Sequence, residues 1–194
     1  MACSTLAKGV QASCAAIKKV GGVNKRVYIG LLEDLATAVF GTGNILTSIT
    51  FNSGKGLVKY EGRKEKNSAG VEIERGENVN IRNQTVTLAV YYSTAEQLST
   101  LDDLIDTEGL FAIIETAAGV LEVYGLNKSG SFDSFGLVAS GSKSTGTVLQ
   151  DSTAFNLTLT GGHTNMELHY NPVGSLTTNI AALDALTIDP APEV

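Results

Sequence analysis

The stretch Asn78-Val79-Asn80-Ile81-Arg82-Asn83-Gln84-Thr85-Val86-Thr87-Leu88-Ala89-Val90-Tyr91-Tyr92 decides how the chain is read. Apolar and polar residues alternate along it, the period of a strand with one buried face. The alternation slips midway. Val79 and Ile81 lie on one parity, and Val86, Leu88, Val90 and Tyr92 on the other. A one-residue slip reverses the buried face, so the pattern predicts a β-bulge near residues 83–85, with two separate strands as the alternative.

Around this stretch, residues 77–160 read as strand, short helix, strand, strand, long loop and strand. Residues 93–106 switch to helical spacing. Ser93 with Glu96, or Thr94 with Gln97, makes a capping box. Leu98, Leu101, Leu104 and Ile105 then share the face that should lie on the sheet. Adjacent Asp102 and Asp103 invite thoughts of acid–base or metal chemistry, but a solvated helix face explains them more simply. Two short apolar runs, 110–114 and 120–126, flank Ala117-Ala118-Gly119, a hairpin turn. Residues 127–150 form a long Ser-, Gly- and Thr-rich segment anchored by Phe132, Phe135, Leu137 and Val138, with a strand over 132–139. Residues 151–160 close the unit, with Phe155, Leu157 and Leu159 inward and Asn156, Thr158 and Thr160 outward, followed by Gly161-Gly162.

Upstream, residues 1–22 read as an N-terminal arm with a short helix around 12–19. Val27-Tyr28-Ile29 is strand-like, residues 33–35 turn, and residues 40–44 form a Gly-rich turn. Ile45, Thr47, Ile49 and Phe51 alternate with Leu46, Ser48 and Thr50 as a half-buried strand. Strands at 57–62 and 71–75 flank a charged tip at 63–70. Downstream, residues 166–194 read as a C-terminal arm with a short helix at 180–186, ended by Pro190 and Pro192. The expected fold is therefore mainly β: a β-sandwich or barrel over 23–165 with one packed helix at 94–106, between extended arms.

Composition narrows the function. At 194 residues the chain suits one domain with a proper core. A net charge of −6 makes a poor nucleic-acid binder, because phosphate neutralisation needs clustered Lys and Arg. No apolar run is long enough to span a membrane as a helix, and residues 1–20 lack the apolar core of a signal peptide. Cys3 and Cys14 form no CxxC pair. They read as thiols in a reducing cytosol, with a disulfide between them as the other reading. His163 and His169 have no zinc spacing, even with Glu167 between them. Gly136 and Gly141 have phosphate-loop spacing, but Ser142 precedes Lys143 and no helix follows. No catalytic, cofactor-binding or metal site is expected, so a structural role is favoured over an enzymatic one.

The order of segments resembles the tail tube proteins of tailed bacteriophages. The resemblance rests on the 94–106 helix between strands, Phe111-Ala112-Ile113-Ile114-Glu115, Gly119-Val120-Leu121-Glu122-Val123-Tyr124-Gly125, the Gly/Ser-rich stretch, and residues 151–161. Cys14, Gly21-Gly22-Val23 and Val27-Tyr28-Ile29 add to it, and it covers about residues 14–161. It implies a virion structural protein, assembled in the host cytoplasm, that forms hexameric rings. The rings stack into a tube with other tail proteins, and DNA passes through the lumen without specific binding. Long hairpins and termini would bridge subunits. Lys55, Lys59, Arg63, Lys64 and Lys66, around the basic tip, are candidate assembly contacts. Another ring component of the virion (terminator, hub or head–tail connector) is the neighbouring alternative. A carbohydrate-binding adhesin is a more distant one, disfavoured by few aromatics and no Trp.

Overall fold

The computed structural model describes residues 22–62, 66–77, 80–90, 94–128, 136–144, 154–172 and 174–188. The fold is mainly β, with eleven strands in two sheets and two helices among the described residues. The strands are β1 (Val23–Leu31), β2 (Leu35–Phe40), β3 (Ile45–Phe51), β4 (Val58–Glu61), β5 (Ser68–Arg75), β6 (Asn80–Val90), β7 (Leu110–Thr116), β8 (Leu121–Tyr124), β9 (Val138–Ser144), β10 (Ala154–His163) and β11 (Leu168–Tyr170). The helices are α1 (Ala95–Ile105) and α2 (Leu176–Ala185).

A seven-stranded sheet runs β2-β3-β11-β8-β7-β1-β4, and a four-stranded sheet runs β5-β6-β10-β9. All neighbours are antiparallel except β11 and β3, which pair parallel. Inward residues of both sheets interdigitate: Val27 and Ile29 of β1, Ala112 and Ile114 of β7, Val86 and Leu88 of β6, and Leu157 and Leu159 of β10. A second apolar cluster covers the other face of the larger sheet, where Tyr28, Leu46, Ile49, Phe111, Ile113, Val123 and Leu168 meet Leu183 of α2. β7 is thus buried on both faces, which is why Leu110–Ile114 is continuously apolar rather than alternating.

The larger sheet curls. β3 and β7 are three strand spacings apart, about 14 Å in a flat sheet. Yet the rings of Phe51 and Phe111 stack with centroids 6.4 Å apart. The β2–β3 hairpin therefore folds back over the sheet's own face, and α2 fills the hollow. Gly30 makes room for this packing, since a Cβ there would sit 2.7 Å from the Phe111 ring.

α1 begins as its capping pattern predicts: Thr94 is the N-cap and its side chain accepts from the Gln97 N–H. Leu101 is buried, with Leu98, Leu104 and Ile105 packed beside it on the sandwich core. Gly141 of β9 lies beneath Phe155 and Ile105, where a Cβ would come within 2.4 Å of the Phe155 ring. The Gly119 turn closes the β7–β8 hairpin, as expected, at φ +79°.

Several expectations need correction. β6 has no bulge at 83–85; it pairs in unbroken register with both β5 and β10. The inward parity set by Val86, Leu88 and Val90 continues through Gln84, which is buried, and Ile81 lies exposed on the opposite face. The bulges fall elsewhere. The β2–β3 register jumps from Val39/Ser48 to Phe40/Leu46, so Thr47 is the extra residue. Leu46 and Ile49 are thereby both buried, and β3 does not alternate simply.

β2 has no counterpart in the sequence pattern, and Leu35 opens it rather than belonging only to a turn. Of the expected strand over 132–139, residues 132–135, with Phe132 and Phe135, lie outside the described residues; β9 starts at Val138 and runs on through the Ser/Gly segment to Ser144. Gly161 and Gly162 belong to β10, which ends at His163. The tip is shorter than 63–70, because β5 begins at Ser68 and Asn67 is buried. The helix expected at 180–186 is present but starts earlier, at Leu176, and it packs on the larger sheet, so two helices rather than one are packed among the described residues.

Residues 166–188 are no arm. β11 is wedged between β3 and β8, Leu183 is fully buried, and Thr187 bridges Leu57. The N-terminal arm with its helix, Cys3 and Cys14, and the terminal prolines all lie outside the described residues.

Candidate assembly surfaces

Two buried side-chain amides tie the sheets together. Asn67, between β4 and β5, donates to the Asn24 carbonyl of the larger sheet at 3.0 Å and accepts from the Ala89 N–H of the smaller at 3.1 Å. Gln84 of β6 accepts from the Gly125 N–H at 2.7 Å and donates to the Asn165 carbonyl at 3.1 Å. Buried amides are tolerated because each finds partners, and the partners lie on different layers. They fix one sheet against the other.

The register then dictates what the smaller sheet shows to solvent. Its outward residues are Ser68, Gly70, Glu72 and Glu74 on β5; Ile81, Asn83, Thr85, Thr87 and Ala89 on β6; Ala154, Asn156, Thr158, Thr160 and Gly162 on β10; and Val138, Ser140 and Ser142 on β9. Ala89 and Ala154 are buried, and the other positions are exposed or half-buried. Among them stand hydroxyls, amides and two carboxylates, and neither Lys nor Arg. β5 and β9 are the sheet's edges among the described residues. The distal half of the β5–β6 hairpin projects beyond the sandwich. Residues 72–77 and 80–81 are exposed, including Ile73 at 60% and Ile81 at 41%. Ile73 lies opposite Arg82 and Ile81 opposite Glu74, so the two isoleucines sit on opposite faces of the hairpin.

The candidate lysines fare differently. Lys55 lies 3.1 Å from the Asp34 carboxylate, and Lys59 lies 3.2 Å from that of Asp184 on α2. Asp184 also accepts from the Tyr28 hydroxyl at 2.9 Å. Partial burial would raise its pKa, but the Tyr28 and Lys59 hydrogen bonds outweigh that and hold it below the ordinary carboxylate value. Burial, reinforced by Asp184, pushes the Tyr28 phenol well up, so it stays a donor. Lys55 and Lys59 therefore brace the fold from within the chain, where partly exposed pairs are each worth about 0–1 kcal/mol. Lys66 is exposed beside Asn67. Arg63 and Lys64 lie outside the described residues.

Asp102 and Asp103 are exposed on α1, Lys143 sits in a strand rather than a phosphate loop, and no cluster of metal-ligating side chains occurs among the described residues. Sequence reasoning missed the two clamps. Asn67 reads as a turn residue in Lys66-Asn67-Ser68-Ala69-Gly70, and Gln84 reads as a break in alternation. A polar residue on the apolar parity of a long strand was the available signal.

Comparison with known proteins finds no matching family model, no similar curated protein and no similar solved structure.

Proposed function

We propose that this chain is a phage tail tube subunit that assembles into stacked, six-membered rings around a DNA-conducting channel. The observation that carries the reading is the four-stranded sheet: an outward face without Lys or Arg, between two strand edges. A cation-free, hydroxyl-rich wall gives phosphates nothing to hold, and its carboxylates repel them.

Strand count supports the same reading. In the order β5-β6-β10-β9 every neighbour is antiparallel. An even number of alternating strands lets β9 of one copy meet β5 of the next, again antiparallel, and ring closure removes the edges. Six copies would give about 24 strands. At a spacing of about 4.8 Å and a tilt of 35–45°, such a barrel is roughly 45–52 Å across, wide enough for a duplex. The projecting β5–β6 hairpin, with one exposed isoleucine on each face, suits insertion between neighbouring copies.

Negative-stain microscopy of the concentrated protein tests this. Hollow tubes or six-fold rings are expected. A chain that stays monomeric at high concentration and binds glycans would sink the proposal in favour of an adhesin.

A further inference from the structure

We propose that His163 is an acid-sensitive latch where the β10–β11 connection, pinned by Arg82, ties the two sheets. His163 ends β10 with its side chain on the inward parity and is only 4% exposed. Its direct cross-strand partner is Arg82 of β6. The Arg82 guanidinium donates to the Thr164 carbonyl at 2.8 Å and to that of Asn80 at 3.1 Å, so it pins the residue next to His163. Gln84 holds the Asn165 carbonyl, and the Asn165 amide donates to the carbonyls of Leu126 and Met166. β11 follows at once.

Nε2 of His163, Oδ1 of Asn165 and Oε2 of Glu167 are buried with no hydrogen-bond partner among the described residues. Glu167 lies close enough to Tyr124 to raise the pKa of its phenol, after burial and Glu122, whose carboxylate accepts from that phenol at 2.8 Å. The carboxylates of this seam thus belong to the β8–β11 side, and the fixed cation belongs to β6.

Protonation puts a charge on a buried imidazole whose Nε2 has no partner among the described residues to receive it. That cost is relieved by opening the 163–167 connection together with β11. Burial also lowers the His163 pKa. The folded state therefore binds this proton less readily than the unfolded chain. The stability it contributes is present above the ordinary imidazole value and is lost as pH falls from there through the folded value.

Hydrogen exchange over residues 160–172, corrected for intrinsic chemistry, tests the latch at about pH 7.5 and about pH 5. In the unaltered protein, acidification should speed exchange there by about tenfold or more, with no such rise in His163→Gln. A pH-independent rate in the unaltered protein, or an undiminished rise in His163→Gln, overturns the proposal. If His163→Gln does not fold, NMR titration in a His169→Gln background reads the single remaining imidazole. A pKa at or above the ordinary value of about 6.5 would also overturn it.

Discussion

From Leu110 to Glu115, β7 is buried on both faces, whereas β6 hides Gln84, Val86, Leu88 and Val90 and leaves Asn83, Thr85 and Thr87 partly open. The two strands belong to sheets that share one core. The larger sheet uses its second face for another core, with α2 and its own folded-back hairpin. The smaller sheet leaves most of its second face open to solvent, Ala89 and Ala154 apart. Stability is concentrated in the first, and open polar surface in the second.

The sharpest way to break this contrast is a charge on the shared core. Leu88→Asp places an uncompensated carboxylate at a fully buried position. It should cost more than about 4–5 kcal/mol and abolish the folded state, read as loss of dispersed amide resonances. If the Leu88→Asp chain keeps its dispersed spectrum, the smaller sheet is not part of the core. Next, Phe111→Ala opens a cavity on the second face of β7 and should cost about 3–5 kcal/mol in denaturant unfolding. A cost below about 1 kcal/mol would mean that the second core is packed too loosely to matter. Gln84→Ala strands the Gly125 N–H and should cost about 1–3 kcal/mol. An unchanged midpoint would show that the amide clamp is dispensable. Smallest in stability is Thr158→Lys on the wet face, expected within about 0.5 kcal/mol of the parent. If the proposed channel is right, tubes of this variant should still form but hold DNA, seen as salt-sensitive retention that the parent lacks.

The sequence pattern was most legible where one physical demand acted alone. Phe155, Leu157 and Leu159 alternate because a single face of β10 is buried, and Leu98, Leu101, Leu104 and Ile105 keep helical spacing because one stripe of α1 packs. Legibility failed where tertiary partners replaced local preference. Gln84 occupies an apolar parity because Gly125 and Asn165 satisfy it, and no local rule foresees partners so distant in sequence. Thr47 shifts the parity of β3 through a bulge that exists only in its pairing with β2. Leu168–Tyr170 is too short to carry a period, and its parallel partner β3 is remote. Of the candidate surface, the basic tip drew attention by its charge, and Lys55 and Lys59 there pair at the surface with Asp34 and Asp184 of the same chain. The polar face needed the register, because polar outward residues on any one strand are ordinary by themselves.

β11 has a consequence for how the molecule is made. Within the larger sheet it alone connects the β2–β3 hairpin to β8 and the strands beyond. Yet it is translated more than half the chain after β3. The early hairpin must therefore wait, its inner edge open, until a three-residue wedge arrives from near the end of the described chain. Such late, non-local closure makes for slow folding and a window of exposure to mispairing. A ribosome stalled before residue 168 should carry a nascent chain whose hairpin is still open to proteases, and release of the full chain should close it.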